Sequence, residues 1–517
     1  MFNTMVDKLF NKFMERIKQK EYRRYFAVYL GAKIVGVLLC LAIIKGVTMF
    51  LFTPALADDP AAAAPTPAYI NPINTMWTVI AAFLVFFMQA GFMFLEAGFA
   101  RTRETVNVIL EGIVDTCLCG ILFYAWGFAF MFSHGNGFIG YHWFFLQGVP
   151  DTYEGTGVAF LAYWLFQYAF ADTCSTVTSG AMVGRTGFWG DLWYSIGVSG
   201  FIYPIIGHWA WGPDGWLTTI TPVAFHDFAG STVVHTIGGF ISLAGAIVLG
   251  PRIGRVFKRD GGGPMPGHNM TLAAVGGVIL WFGWYGFNPG STLSAMDAGG
   301  CGRVAANTTL AACAGGLTAM LWLYPRNKVF DCGITVNGFL AGLVAITCPC
   351  YWVSPTGAII LGAIAGVVCI YGVDLMEYLR IDDPVGAWPV HGLCGIWGTL
   401  SLGLLACGKY GASGPTGADD SSPVTGLFYG GGTQLLVAQL IGSASITAAT
   451  FGVSMVMFYL LKLTGTLRIS KEGELEGLDL HEHGGPAYPE LLGSGAGSMS
   501  SSASSMGPDL AAAKPVR

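Results

Sequence analysis

An all-α membrane protein of eleven transmembrane helices is the fold class this chain predicts, and three observations predict it. The 517 residues are 53% hydrophobic and 11% charged, with a mean hydropathy of +0.57, whereas a soluble domain carries about 25% charged residues. Apolar runs of the roughly 20 residues that a bilayer requires recur along the chain. Finally, one polar motif occurs twice inside such runs: Asp227, Gly230, Val234 and His235 match Asp383, Gly386, Val390 and His391 at the same spacing. An ionisable residue within a membrane segment costs a few kcal/mol and marks function.

The elements follow in order. Residues 1–57 read as a signal peptide with a long basic n-region ("KQKEYRR"), an apolar core interrupted by Lys45, and Ala55-Leu56-Ala57 as the cleavage site. A retained extra helix is the alternative. Residues 58–72 then form a flexible mature N-terminus. The spans fall near 75–99, 107–131, 155–183, 189–210, 226–250, 270–289, 303–324, 333–350, 356–377, 390–408 and 433–463. Positive charge sets their direction. Arg101, Arg103, Arg185, Arg252, Arg255, Lys258, Arg259, Arg326, Lys328, Arg380, Lys462, Arg468 and Lys471 share one side, against Arg303 and Lys409 on the other. The mature N-terminus is therefore outside and the C-terminus cytoplasmic, in the inner (plasma) membrane. Residues 464–492 form a cytoplasmic segment, and the low-complexity residues 493–517 a disordered tail.

Direction turns the paired motif into architecture. Asp227 starts the fifth span at the outer face and Asp383 precedes the tenth at the inner face. That makes a five-plus-five inverted repeat with one extra C-terminal helix, a plan that places the substrate path at the repeat interface. His235 and His391 should meet there; the competing reading makes each a satisfied core residue bridging helices. Seventy-four glycines suit close helix packing, and the thinly spread net charge of −5 offers no face for nucleic acid. The cysteines, including the C-x-C pairs Cys117/Cys119 and Cys348/Cys350, lack zinc or redox spacing and read as small buried thiols. His481 and His483 are two ligands, too few for a metal site. No nucleophile motif or cofactor loop indicates an enzyme.

"YPIIGHWAWG", "DFAGSTVVH", "WFGWYGFNPGS", "DDPVGAWPVHGLCGIWG" and "EGLDLHEHGGPAYP" together resemble the ammonium transporter/methylammonium permease/Rhesus family, over about residues 72–490. Trp211, which Rhesus proteins lack, points to the ammonium transporter branch. The resemblance implies a homotrimer in membrane lipid with one pore per subunit. It makes Trp211, Phe170 and Ser291 an outer ammonium site, Phe170 and Phe287 a stacked pore gate, and His235 and His391 a proton relay along the ammonia path. Asp227 and its counterpart Asp383 then serve structurally and electrostatically. The chemistry suits these residue types: aromatic faces hold cations, and imidazoles both donate and accept protons. For the aromatic residues, core packing is the plainer alternative. The C-terminal segment resembles one that couples subunits and docks PII-type nitrogen-signalling proteins. Two departures stand out: His134 replaces an acidic residue in a short turn after the second span, and Gly184 one before Arg185. The rival functions are an ammonium sensor with little flux and a passive ammonia or carbon dioxide channel.

Overall fold

The computed structural model describes residues 67–489. The signal-peptide and disordered-tail assignments lie outside that range, as do most of residues 58–72. The first helix, α1 (Ile70–Phe99), begins inside the stretch expected to be flexible. After it come α2 (Thr105–Phe132), α3 (Phe160–Gly180), α4 (188–211), α5 (Ser231–Leu249) and α6 (Met270–Phe287). The series continues with α7 (Ala298–Asn327), α8 (Cys332–Thr347), α9 (Pro355–Leu379), α10 (388–405) and α11 (Gln434–Thr464). Two short hairpins, Gly135–Asn136 with Ile139–Gly140 and Ala412–Gly414 with Gly417–Asp419, shape loops.

By length and composition, α1, α2, α5, α6, α7, α9 and α11 are long and apolar enough to cross a membrane. Of the other four, α3, α8 and α10 are short, interrupted or polar because they face protein, whereas α4, interrupted by a π-turn at Val198–Ile202, still exposes Trp189, Trp193 and Phe201. Nearly every residue of α3 is buried, including Asp172, Thr173, Ser175, Thr176 and Thr178. A helix wrapped by its neighbours needs no apolar surface of its own. At the other extreme α1 exposes Ile73, Phe83, Phe86, Phe87 and Phe94 while burying Ala81, Val85, Met88 and Phe92. Such a face is stable only against lipid or another subunit.

Three helix starts differ from the apolar runs, two of them because a side chain caps them. The run at 155–183 becomes helical only at Phe160. The run at 303–324 is helical from Ala298, because Asp297 accepts the Gly300 N–H at 2.8 Å. The fifth span begins at Ser231 rather than 226. Asp227 Oδ1 accepts from Gly230 and Ser231 at 2.9 and 3.0 Å, and Oδ2 from Thr232 and Val233, both at 2.9 Å. Asp383 repeats the device: Oδ1 takes Gly386 and Ala387 at 2.9 and 3.0 Å, and Oδ2 takes Trp388 at 3.0 Å. Both carboxylates satisfy first-turn N–H groups that a helix leaves unpaired. Each cap needs a left-handed residue, supplied by Gly230 at φ +111° and Gly386 at φ +80°. Each then leads into a π-turn, Ser231–Thr236 and Trp388–Leu393, that carries the motif histidine. Such turns cluster at functional sites. Immediately beyond, a Cβ at Gly239 would lie 2.3 Å from the Gly392 nitrogen, so glycine lets α5 and α10 cross almost backbone to backbone.

Candidate functional site

That crossing brings the two histidines together. His235 Nδ1 and His391 Nδ1 are 3.1 Å apart, one necessarily donating and the other accepting. The rings lie 5.2 Å apart, centre to centre, and both are buried. His235 stacks on Trp284 at 5.1 Å and on Phe287 at 5.4 Å. Its Nε2 has no hydrogen-bond partner. A core histidine kept to bridge helices would have both nitrogens satisfied.

Phe287 stacks in turn on Phe170, centroids 4.0 Å apart and planes 25° apart. Trp211 meets Phe170 edge-on at 6.0 Å, half-buried, and its indole N–H donates to the Asp227 carbonyl at 2.8 Å. The Ser291 hydroxyl donates to the Phe287 carbonyl at 2.7 Å, which leaves its oxygen lone pairs as acceptors. The result is one column: Trp211, the Phe170–Phe287 stack, His235, His391. Asp227 lies beside it with its carboxylate committed to backbone N–H groups. Asp383 is likewise committed, beneath the start of α10.

Sequence reasoning missed two members of this column. Phe166 packs on Phe170 at 4.7 Å, and Trp284 forms the wall against His235. Both were detectable by helical spacing, since Phe166 precedes Phe170 by four residues and Trp284 precedes Phe287 by three.

Around Asp382, where the chain passes between α9 and α10, the charges form a framework. Asp382 receives Arg252 Nε and Nη2 at 2.8 and 2.9 Å and the Arg252 backbone N–H at 3.0 Å. Arg185 donates to the Asp382 carbonyl at 2.6 Å. Burial alone would raise the Asp382 pKa, but the Arg252 hydrogen bond and the two guanidinium charges hold it well below the usual carboxylate range. Burial pulls Arg185 down to about 10, with Asp382 opposing.

The C-terminal segment docks on this framework. Glu474 accepts the Ile253 N–H at 2.6 Å and Arg468 Nη2 at 2.8 Å. Asp479 accepts the Asn107 N–H at 2.9 Å, at the start of α2. His481 pairs with Glu476 and His483 with Asn107, each at 2.8 Å, so the two histidines serve different partners. Burial pushes the His483 pKa down.

Both departures acquire carboxylates from elsewhere. Gly184, at φ +83°, leaves the space where a Cβ would meet the Glu104 carboxylate at 2.6 Å. His134 Nε2 lies 2.9 Å from Glu154, and Asp214 accepts the next N–H, Gly135, at 2.8 Å. The described cysteines are free thiols, mostly buried, but Cys117, Cys313 and Cys332 are exposed, which corrects the uniform expectation of buried thiols.

These features define a multi-pass helical membrane protein with a paired-histidine site beneath an aromatic stack. The chain belongs to the Ammonium Transporter Family, whose sequence pattern matches residues 76–488. It is 42% identical over 462 residues to ammonium transporter Amt2 of Archaeoglobus fulgidus, covering 88% of this chain and 96% of that protein. It is 40% identical to ammonium transporter 1 member 1 of Arabidopsis thaliana, covering 76% and 81%. Among solved structures, a Sensor Amt Protein superposes with TM-score 0.72 at 35% identity, covering 81% of this chain and all of that one. Saccharomyces cerevisiae Mep2 gives 0.69 at 28% identity, covering 78% and 88%.

Proposed function

We propose that this protein carries ammonium across the inner (plasma) membrane. It would do so as a homotrimer of eleven-span subunits built on a five-plus-five inverted repeat, with the mature N-terminus outside. The transport domain is 73–463, and residues 464–492 form the cytoplasmic regulatory segment on which a PII-type protein docks. The column from Trp211 to His391 is the observation that carries this reading.

A desolvated cation costs tens of kcal/mol in an apolar lumen, whereas ammonia is small and neutral. Trp211 and Phe170 hold the cation by their π-faces, at about 0.5–2 kcal/mol per contact. Ser291 accepts one of its hydrogen bonds in place of water. The Phe170–Phe287 stack, with no opening between rings 4.0 Å apart, must part for anything to pass and excludes bulk water. Ammonium gives up its proton at this point, ammonia moves past the rings, and the proton follows through the paired imidazoles. Potassium has no proton to surrender and stays out. Against a sensor with little flux, the column is aligned along a path rather than closed around one ligand pocket.

Ammonium and potassium currents measured on purified, size-checked protein in proteoliposomes test this. His235→Asp or His391→Glu should keep some flux but admit potassium, because a carboxylate favours intact cations. Alanine at either position should remove net charge movement. A stable acidic variant that still rejects potassium would count against the relay.

A further inference from the structure

The relay described so far ends at His391. With Nδ1 committed to His235, the ring nitrogen left to pass a proton onward is Nε2. His391 lines a cavity of about 20 Å³ beneath the histidine pair, bordered also by Phe92, Val177, Val390 and Gly386. Two other polar side chains line it: Glu96, from the inner end of α1, and Asn337 of α8. Asn337 spends its N–H on the Val385 carbonyl at 2.9 Å and keeps Oδ1 unpartnered. Glu96 is 4% exposed and is met by the Ser179 hydroxyl on Oε2 at 3.0 Å, which leaves Oε1 uncommitted. Among the described residues no arginine or lysine pairs with it, and the ionisable groups that act on it are Asp115 and Asp191. A cavity of this size with three polar walls has room for one bridging water.

We propose that Glu96 is the proton acceptor at the cytoplasmic end of the relay. This rests on the relay reading above and extends it by one residue. The His391 imidazolium gives its Nε2 proton to the water, and the water passes one to Glu96 Oε1. The carboxylate becomes a carboxylic acid while His391 returns to neutral imidazole. Release from Glu96 to the cytoplasmic side, three residues before α1 ends at Phe99, restores the carboxylate. The Ser179 hydroxyl divides its one proton between the Thr176 carbonyl at 2.8 Å and Glu96 Oε2 at 3.0 Å, and Oε1 stays free.

The experiment compares charge moved, by solid-supported membrane currents, with labelled methylammonium taken up by the same proteoliposomes. Glu96→Gln keeps the shape and the Ser179 contact but cannot accept the proton, so charge per substrate should fall by about a hundredfold, the scale of a lost acid–base group. Glu96→Asp should restore part of it. Wild-type charge per substrate in Glu96→Gln, with His391→Ala having lost it, would overturn the Glu96 step and leave the relay standing. If both variants keep wild-type charge, the relay itself fails and Glu96 with it. Should Glu96→Gln fail to fold, infrared difference spectra of the wild-type protein, ammonium minus potassium, decide. A carboxyl C=O band appearing under turnover and shifted in Glu96→Asp supports the step, and its absence refutes it.

Discussion

Replacing Asp227 by asparagine tests whether the carboxylate builds the π-turn that holds His235. The wild-type side chain accepts four backbone N–H groups, two on each oxygen. An amide retains one carbonyl oxygen, so two contacts survive and the other two N–H groups face an NH2. Hydrogen bonds to a charged group contribute about 1.5–3 kcal/mol each, so Asp227→Asn should cost about 3–6 kcal/mol. Asp383 provides an internal reference. It accepts three N–H groups, two of them on Oδ1. Its asparagine variant therefore loses one and should cost about 1.5–3 kcal/mol. The difference between sites follows from counting bonds, and both lose the same carboxylate–dipole attraction. Equilibrium unfolding of both variants in one detergent, followed by tryptophan fluorescence, measures the difference. An Asp227→Asn protein no less stable than Asp383→Asn would refute the capping account.

Three further outcomes are expected. Trp211→Leu should weaken ammonium recruitment or discrimination by up to tens of fold, as the loss of about 0.5–2 kcal/mol of cation–π attraction implies, while the protein still folds. An unchanged concentration dependence would make Trp211 a packing residue. Deleting the chain from Glu474 onward removes the contacts to Ile253, Arg468 and Asn107. Transport or its coupling between subunits should drop with assembly intact; full activity and unaltered PII-type binding would remove the regulatory reading. Asp382→Asn leaves buried Arg252 without its carboxylate partner and removes the charge facing Arg185, and should destabilise by about 3–5 kcal/mol. Because the folded pKa of Asp382 is depressed, its stabilisation is present above the unfolded value of about 3.9 and is lost as pH falls below it. The wild-type acid limb should therefore be steeper than that of the variant in pH-dependent unfolding.

The motif and its partners were legible because they are local. A carboxylate three residues before a glycine and eight before a histidine forms a cap, a left-handed turn and a π-turn at both places it occurs in this chain. The apolar runs located the helices, with errors where capping by Asp227 or Asp297 moved a start. They could not separate helices that face lipid from those that face protein. The polar rows on α3 are legible as residues, but their burial depends on what wraps them.

The sequence alone determined that this is a helical membrane protein with two matched ionisable turns, since composition, period and spacing are properties of the chain. Tertiary structure alone decided that His235 and His391 sit with Nδ1 atoms 3.1 Å apart and that Trp284 walls the pair. It also placed Glu96 in the cavity below His391 and set carboxylates from Glu104 and Glu154 against Gly184 and His134. The physical reason is separation along the chain. These partners lie tens to hundreds of residues apart along the chain, and for the two histidines the backbone approach at Gly239 and Gly392, not any local preference, sets the distance at which they meet.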